Sequence, residues 1–198
     1  VRLGEYWRER GMRFDAVITG TLRRHRETWE GIAKGLGLDP EAERGGVLAL
    51  PGLNEYESDA VVHAIHPEPL PKADTPELYR QHFRLLREGL AAWMRGDTAP
   101  RGMPSYADFD GGVRGALDRV RERHHGQKVL IVSSGGPIST AVGQVLGTSA
   151  DTTIELNFRI RNSSVTEFAF TPKRHMLVTY NTLPHLDAPA YEPWVTYA

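Results

Sequence analysis

The residues best suited to chemistry are three arginines and a histidine that open a helix just after a short apolar run. The run covers residues 14–18 and predicts a buried strand, and the basic segment Arg23–Arg26 follows one tight turn later. Backbone N–H groups at a helix N-terminus attract anions, and Arg24 adds a guanidinium that matches phosphate oxygens. Acidic side chains usually stabilise a first helical turn. Basic residues in this first turn are an exception, and they predict a phosphate pocket. The alternative is a basic helix face exposed to solvent.

A second turn of similar design lies at Ser133–Pro137, after the apolar run 128–133. Its two glycines let the backbone approach a ligand closely, and Ser134 offers a hydroxyl donor. The sequence predicts Pro137 at the first helical position, which leaves the next N–H groups pointing outward. Ligands of an open α/β sheet bind at the carboxyl ends of its strands, so the two turns predict one shared anion site. A tight turn without a ligand is the alternative.

A proton donor for this site is offered by Glu55, which lies in a loop between the apolar residues Leu53 and Tyr56. A loop glutamate is ordinarily solvated. If Glu55 reaches the anion site, partial burial would raise its pKa and allow it to protonate a leaving-group oxygen.

The composition restricts the class of protein. Lys and Arg number 24 against 25 Asp and Glu, and a net charge of −1 favours neither nucleic acid nor an anionic membrane as partner. The absence of cysteine excludes disulfides and thiolate chemistry. No apolar run approaches the roughly 20 residues that span a bilayer. His63 and His66 lack a third ligand, so no metal site is predicted.

Hydrophobic spacing predicts the elements that position these residues within one domain, 1–198. The predicted helices cover 1–10, 22–36, 76–95, a segment from about 105, and 138–146. The predicted strands cover 14–18, 128–133, 164–170 and 175–180. Residues 39–72 are predicted as loop and the tail 181–198 as irregular, with His185 ordering the tail by hydrogen bonds. Strands alternating with helices, then a hairpin, predict an α/β fold whose sheet is mostly parallel.

The order of these motifs resembles the histidine phosphatase superfamily, the phosphoglycerate-mutase-like proteins. The family's Leu-x-Arg-x-x-x-Thr helix start matches Leu22–Thr28, and its Leu-x-Glu loop matches Leu53–Glu55. Its Ser-His-Gly-Gly turn matches Ser133–Gly136, and its closing hairpin resembles 162–166 and 180–182. The resemblance runs in the same order over nearly all of the chain.

The resemblance implies a three-layer α/β/α sandwich with an antiparallel hairpin near the C-terminus. It also implies a phosphohydrolase that acts on a small phosphate ester through phosphohistidine, without cofactor or metal. Arg24, Ser134 and Gly135 would bind phosphate, and Glu55 and Ser134 would be catalytic, with Glu55 as proton donor. Residues 54–104 would form a cap over the pocket. The implied location is the bacterial cytoplasm. The implied partner is a small phosphorylated substrate rather than nucleic acid or a membrane. A homo-oligomer is left open.

The chain departs from the family pattern in two respects. It contains no Arg-His-Gly, the motif whose histidine attacks phosphorus, and the helix at Val1 resembles the one that follows that motif. We therefore expect the first strand and the nucleophile loop to be absent, which leaves an unpaired sheet edge prone to aggregation. Loss of a nucleophile costs on the order of 10⁶-fold in rate, so phosphatase activity of these 198 residues should be negligible.

The second departure is Ser134, which carries no charge where the family has its second histidine. His25, next to Arg24, is an alternative source of a cation, but its side chain is expected to point about 100° round the helix from Arg24, toward the apolar face. Ser134 therefore favours a second function, a catalytically dead relative that binds a phosphorylated ligand or a protein. A nucleotide-binding module is a third and weaker candidate function, because neither turn has a P-loop or dinucleotide-binding pattern.

Overall fold

The computed structural model describes residues 1–40 and 46–197. The helices are α1 (Arg2–Glu9), α2 (Arg23–Leu36), α3 (Ser58–His63), α4 (Pro76–Arg95), α5 (Tyr106–Arg123), α6 (Gly135–Leu146) and α7 (Ala150–Phe158). The strands are β1 (Ala16–Thr19), β2 (Val47–Ala49), β3 (Val129–Val132), β4 (Val165–Phe170) and β5 (His175–Thr182). Short 3₁₀ turns cover Pro51–Leu53, Pro184–Leu186 and Pro189–Trp194.

Strands β2, β1 and β3 form a parallel sheet in that order. Strands β4 and β5 form a separate antiparallel hairpin. Ile18 of the central strand lies opposite Leu48 of β2 and Ile131 of β3. This arrangement confirms the predicted mostly parallel sheet with a C-terminal antiparallel hairpin. Within residues 1–40 and 46–197, no strand pairs with the second edge of β3.

Helices cover both faces of this sheet because successive strand residues point to opposite sides. Val17 packs in a core cluster with Trp29 of α2, on the face that α1 also covers. Its neighbour Ile18 packs on the other face with Val120 of α5. The result is the three-layer α/β/α sandwich that the family resemblance implies.

Close packing of α1 on α2 depends on two glycines. A Cβ atom on Gly4 would lie 2.1 Å from the carbonyl oxygen of Ile32 and 2.9 Å from the Cα of Gly35. A Cβ on Gly35 would lie 2.8 Å from the amide nitrogen of Glu5. The two helix backbones therefore touch with no room for a side chain between them.

The region 54–104 contributes α3 and α4 to a further core cluster, which they share with α5, α6 and α7. Trp93 of α4 is 1% exposed, and its ring centroid lies 5.2 Å from that of Phe109. Its Nε1 donates a hydrogen bond to the carbonyl of Pro104 at 3.1 Å. Trp93 is thus a core residue, while the role of 54–104 as a cap stays a prediction.

Several element bounds differ from the predicted ones. β1 begins at Ala16 rather than at residue 14, because the Phe14 ring packs edge-on against Trp7, 4.9 Å away, before the sheet begins. The segment 39–72, predicted as loop, contains β2, a 3₁₀ turn and α3. These elements are too short to show a clear hydrophobic period. Residues 41–45 of that segment, and residue 198 of the predicted tail, lie outside the described residues.

Candidate functional site

The carboxyl ends of β1 and β3 bring the two predicted turns together. The last residues of these strands, Thr19 and Val132, lie opposite each other in the sheet. α2 follows the first strand and α6 follows the other, so both helices begin at the same edge. Across this edge Arg24 donates a hydrogen bond from Nε to Ser134 Oγ at 3.1 Å.

Ser134 is the N-cap residue of α6, yet its side chain makes no capping bond. The helix begins at Gly135, so the prediction of Pro137 as its first residue is wrong: Pro137 is the third. The first intrahelical bond runs from the Ile138 N–H to the Ser134 carbonyl at 3.1 Å. Because the earliest helical N–H groups have no intrahelical partner, a proline fits there, and the Gly136 N–H is left available.

His25 is the residue that sequence reasoning undervalued. It is 2% exposed, as expected for the apolar side of α2, yet its Nε2 lies 2.7 Å from Ser134 Oγ. The ring fits because residue 20 is glycine, where a Cβ would lie 2.0 Å from His25 Nδ1. Burial, assisted by the charge of Arg24, lowers the pKa of His25 and keeps the ring neutral. Gly20, five residues before the histidine, was the signal in the sequence.

Glu55 reaches the second turn. Each of its carboxylate oxygens accepts the Gly136 N–H at 3.1 Å, and Oε1 also accepts the Tyr56 N–H at 3.2 Å. Burial raises the pKa of Glu55, and the N–H donors and the positive charge of Arg24 oppose that rise. A Cβ on Gly136 would lie 2.1 Å from Glu55 Oε1, so the close approach requires glycine.

The loop that carries Glu55 is tied to both turns. Asn54 accepts the Thr21 N–H on Oδ1 and donates from Nδ2 to the Thr21 hydroxyl, both at 2.7 Å. On the other side, Ser133 Oγ donates to the carbonyl of Leu53 at 2.8 Å. Sequence reasoning missed Asn54, whose amide next to the candidate acid was the available signal.

Arg24, Ser134 and Glu55 thus surround one edge of the sheet. Gly135 is buried there, and a Cβ on it would lie 2.7 Å from the side-chain oxygen of Asn157. Arg24 is exposed and makes no ion pair with a carboxylate in the part of the chain that the structure describes. A guanidinium and a hydroxyl facing a partly buried carboxyl could bind an anionic oxygen and give it a proton.

Comparison of the sequence with a family model shows which protein family the chain belongs to. The model of the histidine phosphatase superfamily, branch 1, matches residues 73–183, which is more than half of the chain. The chain belongs to this superfamily. The match includes Ser134 and Gly135 and begins after Arg24 and Glu55.

Solved structures of several phosphatases share the fold. A mutant phosphoserine phosphatase of Entamoeba histolytica, in complex with phosphoserine, has 18% identity and a TM-score of 0.61 over 93% of this chain and 82% of its own. The alpha-ribazole phosphatase of Shigella flexneri has 18% identity and a TM-score of 0.57 over 91% and 80%. Mycobacterial glucosyl-3-phosphoglycerate phosphatase with inorganic phosphate has 17% identity and a TM-score of 0.61 over 94% and 86%. No curated protein sequence matches the chain.

Two further properties of this member of the superfamily concern other kinds of site. In residues 1–40 and 46–197, no three His, Cys, Asp or Glu side chains gather where they could hold a metal ion. Over the same ranges, no helix has the length and apolar character needed to cross a membrane.

The burial of Glu55 predicts a pH-dependent stability. Because its pKa is raised in the folded protein, the stability that its protonated form contributes is complete at acidic pH and is lost as pH rises through the folded pKa. We expect Glu55→Gln to raise the free energy of unfolding near pH 8 relative to the parent, and to leave it unchanged near pH 4. Urea unfolding at several pH values measures this; the exposed neighbour Glu57→Gln is the control. Parallel pH profiles of parent and Glu55→Gln would contradict the assignment.

Proposed function

We propose that this member of the histidine phosphatase superfamily acts on a small phosphate ester at the edge where β1 and β3 end. The observation that carries the proposal is the hydrogen bond from Arg24 to Ser134 at 3.1 Å, which joins the two strand-to-helix turns. It brings a guanidinium without a carboxylate partner among the described residues to the N-terminal end of a helix, where anions are favoured.

The proposed roles follow from the chemistry of each group. Arg24, the Ser134 hydroxyl and the backbone of Gly135 bind the phosphoryl oxygens. Glu55, whose pKa is raised by burial, protonates the leaving oxygen. The family's attacking histidine belongs to an Arg-His-Gly motif that these 198 residues do not contain. We therefore propose that phosphohistidine chemistry needs that motif and that these residues alone turn over an ester at a negligible rate.

The similar structures support a small phosphorylated substrate, since their names specify phosphoserine, alpha-ribazole phosphate and glucosyl-3-phosphoglycerate as the compounds acted on. Two of them come from bacteria, which supports the proposal of a bacterial protein. The region 54–104 would set which ester enters, as a cap over the site.

A second candidate function is a phosphate-binding protein without catalysis. The observation that favours it is the pair of neutral groups, Ser134 and His25, at the place where the family has a second histidine. Binding without turnover, in a natural protein that lacks Arg-His-Gly, would support this candidate over the enzyme.

The test is binding of inorganic phosphate by the 198-residue chain, measured by isothermal titration calorimetry. We expect Arg24→Ala to weaken binding by about tenfold or more, because a charge-assisted hydrogen bond contributes about 1.5–3 kcal/mol. Arg23→Ala is the matched control: it removes an arginine of the same helical turn that is exposed and paired with Glu27 at 2.6 Å. Equal affinities of the parent and Arg24→Ala would overturn the phosphate site. Release of aryl alcohol from an aryl phosphate well above buffer would overturn the proposal of negligible turnover.

A further inference from the structure

Ser134 Oγ lies between two nitrogen atoms that play different roles. Arg24 Nε is 3.1 Å away and His25 Nε2 is 2.7 Å away. A guanidinium can only donate, so Oγ accepts a hydrogen bond from Arg24. Arg24 therefore leaves the hydroxyl proton of Ser134 free for another partner.

His25 Nε2 is within reach of that proton. The two atoms lie 2.7 Å apart, and the tautomer of the ring decides which of them donates: Ser134 donates when the His25 proton is on Nδ1. The ring is neutral because burial and the charge of Arg24 lower the pKa of His25. In that tautomer Ser134 donates its proton to an imidazole nitrogen while it accepts a bond from a cation, which is the arrangement of an activated serine.

We propose that Ser134 and His25 form a nucleophile–base pair that takes a phosphoryl or phosphonyl group covalently on Ser134 Oγ. The phosphoryl substrate class rests on the proposed function. The reactivity of the serine rests only on the contacts of Ser134 with His25 and Arg24.

The position of Ser134 supports this role. It is partly exposed at the sharp turn between β3 and α6, and its side chain is not used for capping. The neighbouring Ser133 differs, because its hydroxyl donates to the carbonyl of Leu53 at 2.8 Å and has no histidine partner. The two adjacent serines therefore give a matched pair, one activated and one structural.

The chemistry balances for a phosphate monoester. Ser134 Oγ bonds to phosphorus as the bond from phosphorus to the ester oxygen breaks; the serine proton moves to His25 Nε2, and Glu55 protonates the departing oxygen. Water then attacks phosphorus and gives its proton to Glu55, while the released Ser134 oxygen recovers the proton of His25. The products are the alcohol and inorganic phosphate, and all three side chains return to their starting states.

Turnover through this pair should nevertheless be slow. Nδ1 of His25 is buried without a hydrogen-bond partner among the described residues, so the ring lacks the third group that orients the base in efficient serine enzymes. The pair is therefore expected to reveal itself by covalent capture rather than by rapid hydrolysis, in agreement with the negligible turnover proposed above.

The experiment uses diisopropyl fluorophosphate on the full 198-residue chain, followed by intact mass and peptide mapping. Ser134 Oγ would displace fluoride and add one diisopropylphosphoryl group, with its proton passing through His25 to solvent. We expect one group per folded chain, located on Ser134, present in Ser133→Ala and absent from Ser134→Ala and from the urea-unfolded chain. No labelling, or labelling that persists in Ser134→Ala, would overturn the proposal.

The base is tested with His25→Ala, after circular dichroism has shown that the variant is folded. Removal of a general base should slow labelling by about 100-fold, and added imidazole should restore part of the rate. If this variant does not fold, His25→Gln replaces it, with loss of labelling as the expected result. An unchanged labelling rate in a folded variant would overturn the pair. Labelling of Ser134 without any effect of Arg24→Ala on phosphate binding would instead refute only the proposed function.

Discussion

Gly4→Ala is expected to lower the free energy of unfolding by about 3 kcal/mol, the upper part of the range for overpacking. The new Cβ would lie 2.1 Å from the Ile32 carbonyl oxygen and 2.9 Å from the Cα of Gly35. Both atoms belong to the backbone of α2, which cannot rotate away as a side chain does. The helices must separate, and the core cluster that holds Trp7 and Trp29 opens with them. Urea unfolding followed by tryptophan fluorescence measures the loss.

Gly111→Ala is the matched control for this substitution. Gly111 lies inside α5, and nothing is within 4 Å of the position that its Cβ would occupy. Alanine is favoured over glycine in a helix interior by about 1 kcal/mol, so this variant should be more stable than the parent. If Gly4→Ala unfolds at the same urea concentration as the parent, the contact of α1 with α2 is not the one described.

The second large effect concerns acid. His185 is 2% exposed, its Nε2 lies 3.0 Å from Ser163 Oγ, and burial, assisted by the charge of Arg2, lowers the pKa of His185 to about 4. The unfolded chain binds a proton at this histidine below about pH 6.5, while the folded protein does not. The stability contributed by neutral His185 is therefore complete at neutral pH and is lost as pH falls through the folded pKa, by about 3 kcal/mol in total.

Measured against the parent, His185→Gln should show a smaller fall of the free energy of unfolding between about pH 7 and pH 4. His25 and His175, whose pKa values are also lowered by burial, change stability in the same direction in both proteins. The difference between the two pH profiles therefore isolates His185. His63→Gln, at an exposed position, should follow the parent. Identical slopes for the parent and His185→Gln would refute the buried neutral state.

The long elements were predictable because each has a strong local signal. The start of α4 is one example: Thr75 accepts the Leu78 N–H at 3.2 Å, Pro76 follows, and Gly96 ends the helix at φ 78°. By contrast, β2 is held by its pairing with β1, a contact between distant parts of the chain. A three-residue strand has no periodicity of its own, so sequence reasoning reads it as loop.

In the candidate site too, some contacts could be predicted from the sequence and others could not. Arg24 and Ser134 follow buried strands, so their meeting could be inferred from the rule that parallel strands end at one edge of a sheet. The contact of His25 with Ser134 could not be inferred, because periodicity placed that ring on the apolar side of α2. It is both buried and in contact with the site, since the side chain that would block it is missing at Gly20. A side chain can be buried and still contact a functional site, and for His25 only the three-dimensional packing shows that both are true.

The hydrogen bond from the Gly136 N–H to Glu55 would couple anion binding at the proposed site to proton uptake. The carboxylate of Glu55 occupies the positive end of α6, which is the place where an incoming anion would also be stabilised. An anion that enters beside Glu55 raises the free energy of its charged form, and the side chain relieves this by taking a proton from solvent. Each anion that binds then replaces the negative charge of the Glu55 carboxylate, because one proton from solvent neutralises that carboxylate. The apparent affinity for an anion would therefore follow the proton concentration, and the same proton would already be in position for transfer to an ester oxygen.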